Sequence, residues 1–135
     1  MATRVGIIGS HPYMKELWSF DTFKQCLIDI LDENHIRPTE FASIGMGLST
    51  MVKVCANIFC LPFKDYTPDF HPFILRSMSI LRRNEIFCSS IDHLLIFGKS
   101  DDILTSIKRI AQEKDIPIHN YLELSKSKPC NSLVL

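Results

Sequence analysis

Residues 4–10 read Arg-Val-Gly-Ile-Ile-Gly-Ser, a short apolar and β-branched run that ends in a glycine and a serine. Apolar residues at successive positions predict a strand that is covered on both faces, as in a parallel sheet. A second such run, His-Leu-Leu-Ile-Phe at residues 93–97, is stopped by Gly98. The two runs predict two strands of one buried sheet.

Three more strands and four helices alternate with these runs. The other strands are predicted at residues 41–45, 61–63 and 116–124. Helical spacing of apolar residues is centred on residues 23–31, 48–58, 77–90 and 103–111. Alternating strands and helices imply right-handed crossovers. The predicted fold class is therefore α/β, a Rossmann-like parallel sheet of about five strands with helices on both faces.

Length and charge restrict the function classes. The 135 residues fit one domain, which we expect over residues 1–124, followed by a flexible tail at residues 125–135. Basic and acidic residues balance at 15 each, which disfavours broad attraction to nucleic acid or anionic lipid. The first residues do not resemble a signal peptide, and no run reaches the roughly 20 apolar residues of a membrane span. We expect a cytoplasmic protein.

Cysteine and histidine patterns do not indicate a metal centre. The five cysteines lack the Cys-x-x-Cys spacing of zinc sites, and the five histidines are scattered. We expect reduced core thiols, no metal and no cofactor.

Topology predicts where a ligand would bind. In parallel α/β sheets, ligands bind beyond the carboxyl ends of the strands, where the strand order reverses. For the order 3-2-1-4-5 that point lies between the first and fourth strands. The rule selects residues 9–11, 45–50 and 98–102.

Two glycine turns lie in these segments. Gly9 and Ser10 close the first strand, where backbone amides allow a phosphate to approach, although a glycine that only ends the strand is an equal alternative. Between the second strand and its helix the sequence is Gly45-Met46-Gly47-Leu48-Ser49-Thr50. Helix-terminal amides favour an anion at this turn, and a plain turn with Ser or Thr capping is the alternative.

Arg83 and Asn84 precede the fourth strand within a predicted helix. We expect Arg83 to lie early in that helix, where a guanidinium could reach the ligand edge and bind phosphate through two hydrogen bonds. On this hypothesis Arg83 contributes to ligand affinity and little to folding. The alternative is an exposed, solvated helix charge.

The sequence resembles the SLOG superfamily, named for the Smf/DprA proteins and the LOG phosphoribohydrolases, and is most similar to its small single-domain YspA and YpsA type. The motifs are GIIGS at residues 6–10, GMGLST at 45–50 and RRNEIFCSSIDHLLIF at 82–97. The resemblance spans about residues 4–118. It implies that Arg83 matches a substrate-binding and catalytic arginine of the LOG enzymes.

The sequence departs from the LOG pattern after the fourth strand. LOG enzymes have a PGGxGTxxE loop there, whereas this chain has Gly98-Lys99-Ser100-Asp101-Asp102. Asp101 or Asp102 could replace the lost carboxylate, but helix capping explains both. The catalytic residues are therefore unknown.

Three functions follow from these observations. The first is a module that binds or senses a nucleotide or nucleotide derivative through Gly9, Ser10, Arg83, Asn84, Gly98 and the turn at residues 45–50, with Gly45, Gly47, Ser49 and Thr50 as contacts. The second is a LOG-like phosphoribohydrolase that cleaves the N-glycosidic bond of a nucleoside monophosphate. The third is a partner-binding domain that has lost its ligand. The aromatic content and the resemblance also predict a homodimer.

Overall fold

The computed structural model describes residues 2–9, 20–98 and 102–121 of the chain. Its strands are β1 (Arg4–Gly9), β2 (Glu40–Ser43), β3 (Phe63–Asp65), β4 (His93–Phe97) and β5 (Ile118–Tyr121). Its helices are α1 (Phe20–Glu33), α2 (Ser49–Ile58), α3 (Arg76–Ser89) and α4 (Asp102–Glu113). None of the described helices has the length and apolar character needed to cross a membrane.

The five strands form one parallel sheet in the order β3-β2-β1-β4-β5. This confirms the predicted fold class. Strand order reverses at β1, whose last residue, Gly9, pairs with Phe97 at the end of β4. The carboxyl ends of β1, β2 and β4 therefore lie along one edge of the sheet.

The sheet is covered on both faces, which explains why its strands are apolar throughout. Ile7 of β1 packs with α1 and α2 in one core cluster, whereas Ile8 packs with α3 and α4 in the other. Successive side chains of a strand point to opposite faces, so both positions require an apolar residue. Phe23 of α1 meets Phe97 of β4 edge to face at 5.3 Å between ring centroids.

Three helices end in the same way without a glycine. His35, Cys60 and Asp115 have φ of 56°, 59° and 58°, the left-handed conformation that ends many helices. The next residue donates its amide to a carbonyl five residues earlier in each case. These bonds are Ile36 N to Leu31 O, Leu61 N to Ala56 O, and Ile116 N to Ala111 O.

These helix ends explain two wrong strand boundaries. The third strand was predicted at 61–63, but the amide of Leu61 closes α2, and β3 begins only at Phe63. The last strand was predicted from residue 116, but the amide of Ile116 closes α4. β5 therefore begins at Ile118. The predicted tail lies outside the described residues.

Candidate functional site

The ends of the strands bring the predicted ligand residues to one edge of the sheet. Gly9 ends β1, Gly98 follows β4, and the turn at residues 44–48 joins β2 to α2. Ser49 and Thr50 open α2, with Ser49 buried and Thr50 exposed. Ser10 and Asp101 lie outside the described residues.

The turn before α2 depends on its two glycines. Gly45 and Gly47 have φ of 77° and 62°, a conformation that L side chains rarely adopt. A Cβ atom on Gly45 would also lie 2.5 Å from the Cγ2 of Thr67. Backbone conformation and packing thus require glycine at position 45 whether or not a ligand binds.

Arg83 is a buried residue in the middle of α3, so the prediction that it lies early in the helix is wrong. Its side chain is only 4% exposed, which also rules out the alternative of a solvated helix charge. Nη1 donates to the carbonyl of Ile44 at 2.9 Å and to that of Tyr66 at 3.3 Å. Arg83 therefore joins the end of β2 to the segment after β3.

These contacts give Arg83 a structural role that the sequence-based hypothesis did not include. Buried charges persist in proteins when polar groups compensate for lost hydration. Burial lowers the pKa of Arg83, and the negative charge of Asp65 acts in the opposite direction. Among the described residues, Nη2 has no hydrogen-bond acceptor.

Asn84 orients Arg83 from the next position of the helix. Its Oδ1 accepts a 2.7 Å hydrogen bond from Nε of Arg83, and its Nδ2 lies 3.5 Å from Oγ of Ser106 on α4. Asn84 is itself buried. Its described contacts are those of a positioning residue between two helices.

Asp65 is a site residue that the sequence prediction missed. It is the last residue of β3, and its Oδ2 accepts a 2.9 Å hydrogen bond from Oγ of Ser49 at the start of α2. The predicted third strand stopped at residue 63, which left Asp65 in a loop. An acidic residue at the carboxyl end of a correctly placed strand would have been the signal.

The described contacts therefore form a polar cluster that contains Gly45, Ser49, Asp65 and Arg83. Its charged groups are one carboxylate and one guanidinium. Gly9 and Gly98 have no described contact with these four residues. They flank the cluster along the same sheet edge, and Gly9 lies against the side chain of Leu48.

The cysteine and histidine side chains do not form a recognisable metal centre in the part of the chain that the structure describes. Cys55, Cys60 and Cys88 are free thiols, and burial raises the pKa of Cys55 and Cys88 to about 11, which keeps both protonated. Cys26 is disulfide-bonded, so the prediction of a reduced thiol is wrong for it.

A histidine pair lies across β4 and β5. The rings of His93 and His119 are 6.0 Å apart between centroids, and Nε2 of His119 is buried without a hydrogen-bond partner. Burial, and secondarily the nearby His93, lower the pKa of His119. Protonated His119 is therefore disfavoured in the folded state.

We expect this histidine to make the protein less stable in mild acid. Because the pKa of His119 is lower in the folded than in the unfolded chain, its contribution is complete above the ordinary pKa of 6.5 and is lost as the pH falls below it. Urea unfolding at pH 7.5 and 5.5 measures the loss, which should be smaller in His119→Gln than in the parent. Equal losses in both proteins would contradict the assignment, and the exposed His71→Gln is the control.

Comparison with known proteins does not place the chain in a family. No family model matches the sequence, and no curated protein matches it significantly.

Proposed function

We propose that this chain is a module that binds or senses a nucleotide or nucleotide derivative at the edge formed by the ends of β1, β2 and β4. We also propose that the chain is a member of the SLOG superfamily, because its motifs at residues 6–10, 45–50 and 82–97 resemble those of that superfamily. The ligand contacts that we propose are Gly9, Ser10, Arg83, Asn84, Gly98 and the turn at residues 45–50.

The observation that carries the proposal is the position of Arg83. Its Nη1 donates to the carbonyl of Ile44, the residue directly before Gly45. A guanidinium, a glycine turn and a helix N-terminus therefore adjoin one another. Each favours an anionic group, and Nη2 supplies a further donor.

Asp65 restricts which part of a ligand binds beside α2. A carboxylate accepts hydrogen bonds from hydroxyl groups and repels phosphate. It already accepts from Ser49 at the start of α2. We therefore place the sugar hydroxyls of the ligand beside Asp65 and its phosphate toward Arg83 and Gly9.

Calorimetric titration with the four nucleoside 5′-monophosphates tests the proposal. We expect the parent to bind at least one of them, and Asp65→Asn to weaken that binding by about tenfold, as for loss of a charge-assisted hydrogen bond. The same substitution should affect the matching 2′,3′-dideoxynucleotide less, because that ligand lacks the hydroxyls. Asp69→Asn, an exposed change in the neighbouring loop, is the matched control.

One result would overturn the proposal, and a second would remove Asp65 from the proposed site. If none of the four nucleotides binds at millimolar concentration, the chain is not a module for nucleoside monophosphates. If Asp65→Asn and Asp69→Asn bind as tightly as the parent, Asp65 does not contact the ligand.

Phosphoribohydrolase activity is the second candidate, because Asp65 places a carboxylate near Arg83 at the ligand edge. A carboxylate there could stabilise positive charge that develops on the sugar as the glycosidic bond breaks. Chromatographic detection of free base from a nucleoside monophosphate, abolished by Asp65→Asn, would support this activity. Absence of base release from a nucleotide that binds would favour the binding module.

We propose further that the chain is cytoplasmic and forms a homodimer. Support for the homodimer comes from large apolar side chains that remain exposed on α3 and in the preceding loop.

A further inference from the structure

Helix α3 has large apolar side chains on its outer side as well as on its inner side. Phe87 packs into the core beneath the helix, whereas Leu75, Met78, Leu81 and Ile86 are 69%, 54%, 42% and 50% exposed. A helix that covers a sheet normally presents polar residues to solvent. The outer face of α3, defined here as residues 75, 78, 81, 82, 85, 86 and 89, resembles that of a helix covered on both sides.

Two opposite charges lie in the middle of this face. Arg82 and Glu85 are both exposed, and neither forms an ion pair with another described residue. They are three residues apart along the helix and so share a face, and their exposure shows that this face points away from the sheet.

We infer that the outer face of α3 is a self-association surface that a second copy of this chain covers, with the two helices antiparallel about a two-fold axis. An axis that passes between residues 83 and 84 brings Arg82 opposite Glu85 of the partner subunit. Leu81 and Ile86 flank these charges on the same exposed face, so the same association covers both side chains.

Charge complementarity selects a second copy as the occupant. In a two-fold interface one patch must complement itself, so every pair occurs twice. The outer face of α3 can meet this condition because its two exposed charges are of opposite sign, so a two-fold axis midway between them pairs each with the other on the partner subunit. An unrelated acidic or basic partner would leave one of them without a partner.

This inference rests on the homodimer proposed above and is independent of the nucleotide site. Sedimentation equilibrium of the parent chain and charge-reversal variants tests it. We expect a dimer for the parent, and a dissociation constant at least about tenfold higher for Arg82→Glu and for Glu85→Arg, since each places like charges together twice. The double variant should regain the parental dissociation constant, because it reverses both members of each pair.

An apolar substitution supplies the matched comparison. Leu81→Asp should yield monomer, whereas Ile58→Asp should leave the dimer intact, since Ile58 is 50% exposed on α2, away from this face. Circular dichroism checks that each variant is folded.

The outcomes test the existence of the homodimer and the location of its interface separately. A monomeric parent at about 100 μM, well above a typical micromolar dissociation constant, would overturn both. A dimeric parent whose association is unaffected by both single reversals would overturn the surface and leave the homodimer standing. Failure of the double variant to recover would overturn the antiparallel pairing.

Discussion

Replacing Arg83 with alanine should lower the free energy of unfolding by about 2–4 kcal/mol, because the buried carbonyl of Ile44 and the partly buried carbonyl of Tyr66 lose a charged donor. A buried acceptor costs about 1–3 kcal/mol when it is unsatisfied. Lost packing of the aliphatic stem adds to this. Urea unfolding of the ligand-free protein measures the change. Arg109→Ala, a change of an exposed arginine on α4, should stay within about 0.5 kcal/mol of the parent.

A lysine at position 83 tests whether the positive charge alone, or also the planar shape of the guanidinium, stabilises the fold. Arg83→Lys keeps a cation but lacks the planar fork that bonds Ile44 through Nη1 and Asn84 through Nε. We expect its stability to lie between those of the parent and Arg83→Ala. If Arg83→Ala unfolds at the same urea concentration as the parent, the hydrogen bonds to the turn contribute nothing to folding.

A stability loss in Arg83→Ala would leave the ligand role of Arg83 untested by that variant alone. Binding must then be compared at a temperature where the variant is fully folded. A folded Arg83→Ala that binds the nucleotide as tightly as the parent would remove Arg83 from the proposed site.

The strand order could be predicted from the sequence because the decisive signals are local and strong. Apolar runs at residues 4–8 and 93–97 specify strands covered on both faces, and alternation with helices implies a parallel sheet. Chain order and the crossover rule then leave few arrangements. The ends of elements were less predictable, since His35, Cys60 and Asp115 end helices in a conformation more typical of glycine.

Only the location of the candidate site, at the carboxyl edge of the sheet, could be predicted from the sequence. Topology brought Gly45, Ser49 and Arg83 to one edge, but side-chain direction depends on tertiary packing that periodicity does not contain. Arg83 is buried where its guanidinium donates to the carbonyls of residues that lie 39 and 17 positions earlier in the chain. Asp65 was missed because a strand of three residues gives too weak a pattern to place its last residue.

The glycine at position 9 has two competing explanations, one from packing and one from ligand binding, and they predict different effects of Gly9→Ala on stability. A Cβ atom there would lie 2.6 Å from the Cδ1 of Leu48 and 2.6 Å from the carbonyl oxygen of Phe97. Leu48 is fully buried in the core, and the Phe97 carbonyl belongs to β4 and can move only if the pairing of β1 with β4 is disturbed. The packing alone therefore explains a glycine at the end of β1.

Gly9→Ala should accordingly cost about 1–3 kcal/mol of unfolding free energy, the usual range for overpacking, even without a ligand. The double variant Gly9→Ala with Leu48→Ala removes the side-chain clash and retains the clash with the Phe97 carbonyl, so it should not regain the stability of Leu48→Ala alone. Urea unfolding of the four proteins gives the coupling between the two positions. If Gly9→Ala is as stable as the parent but no longer binds the nucleotide, the space beside Gly9 belongs to the ligand. In that case the glycine is required for function, and the packing explanation for its position is wrong.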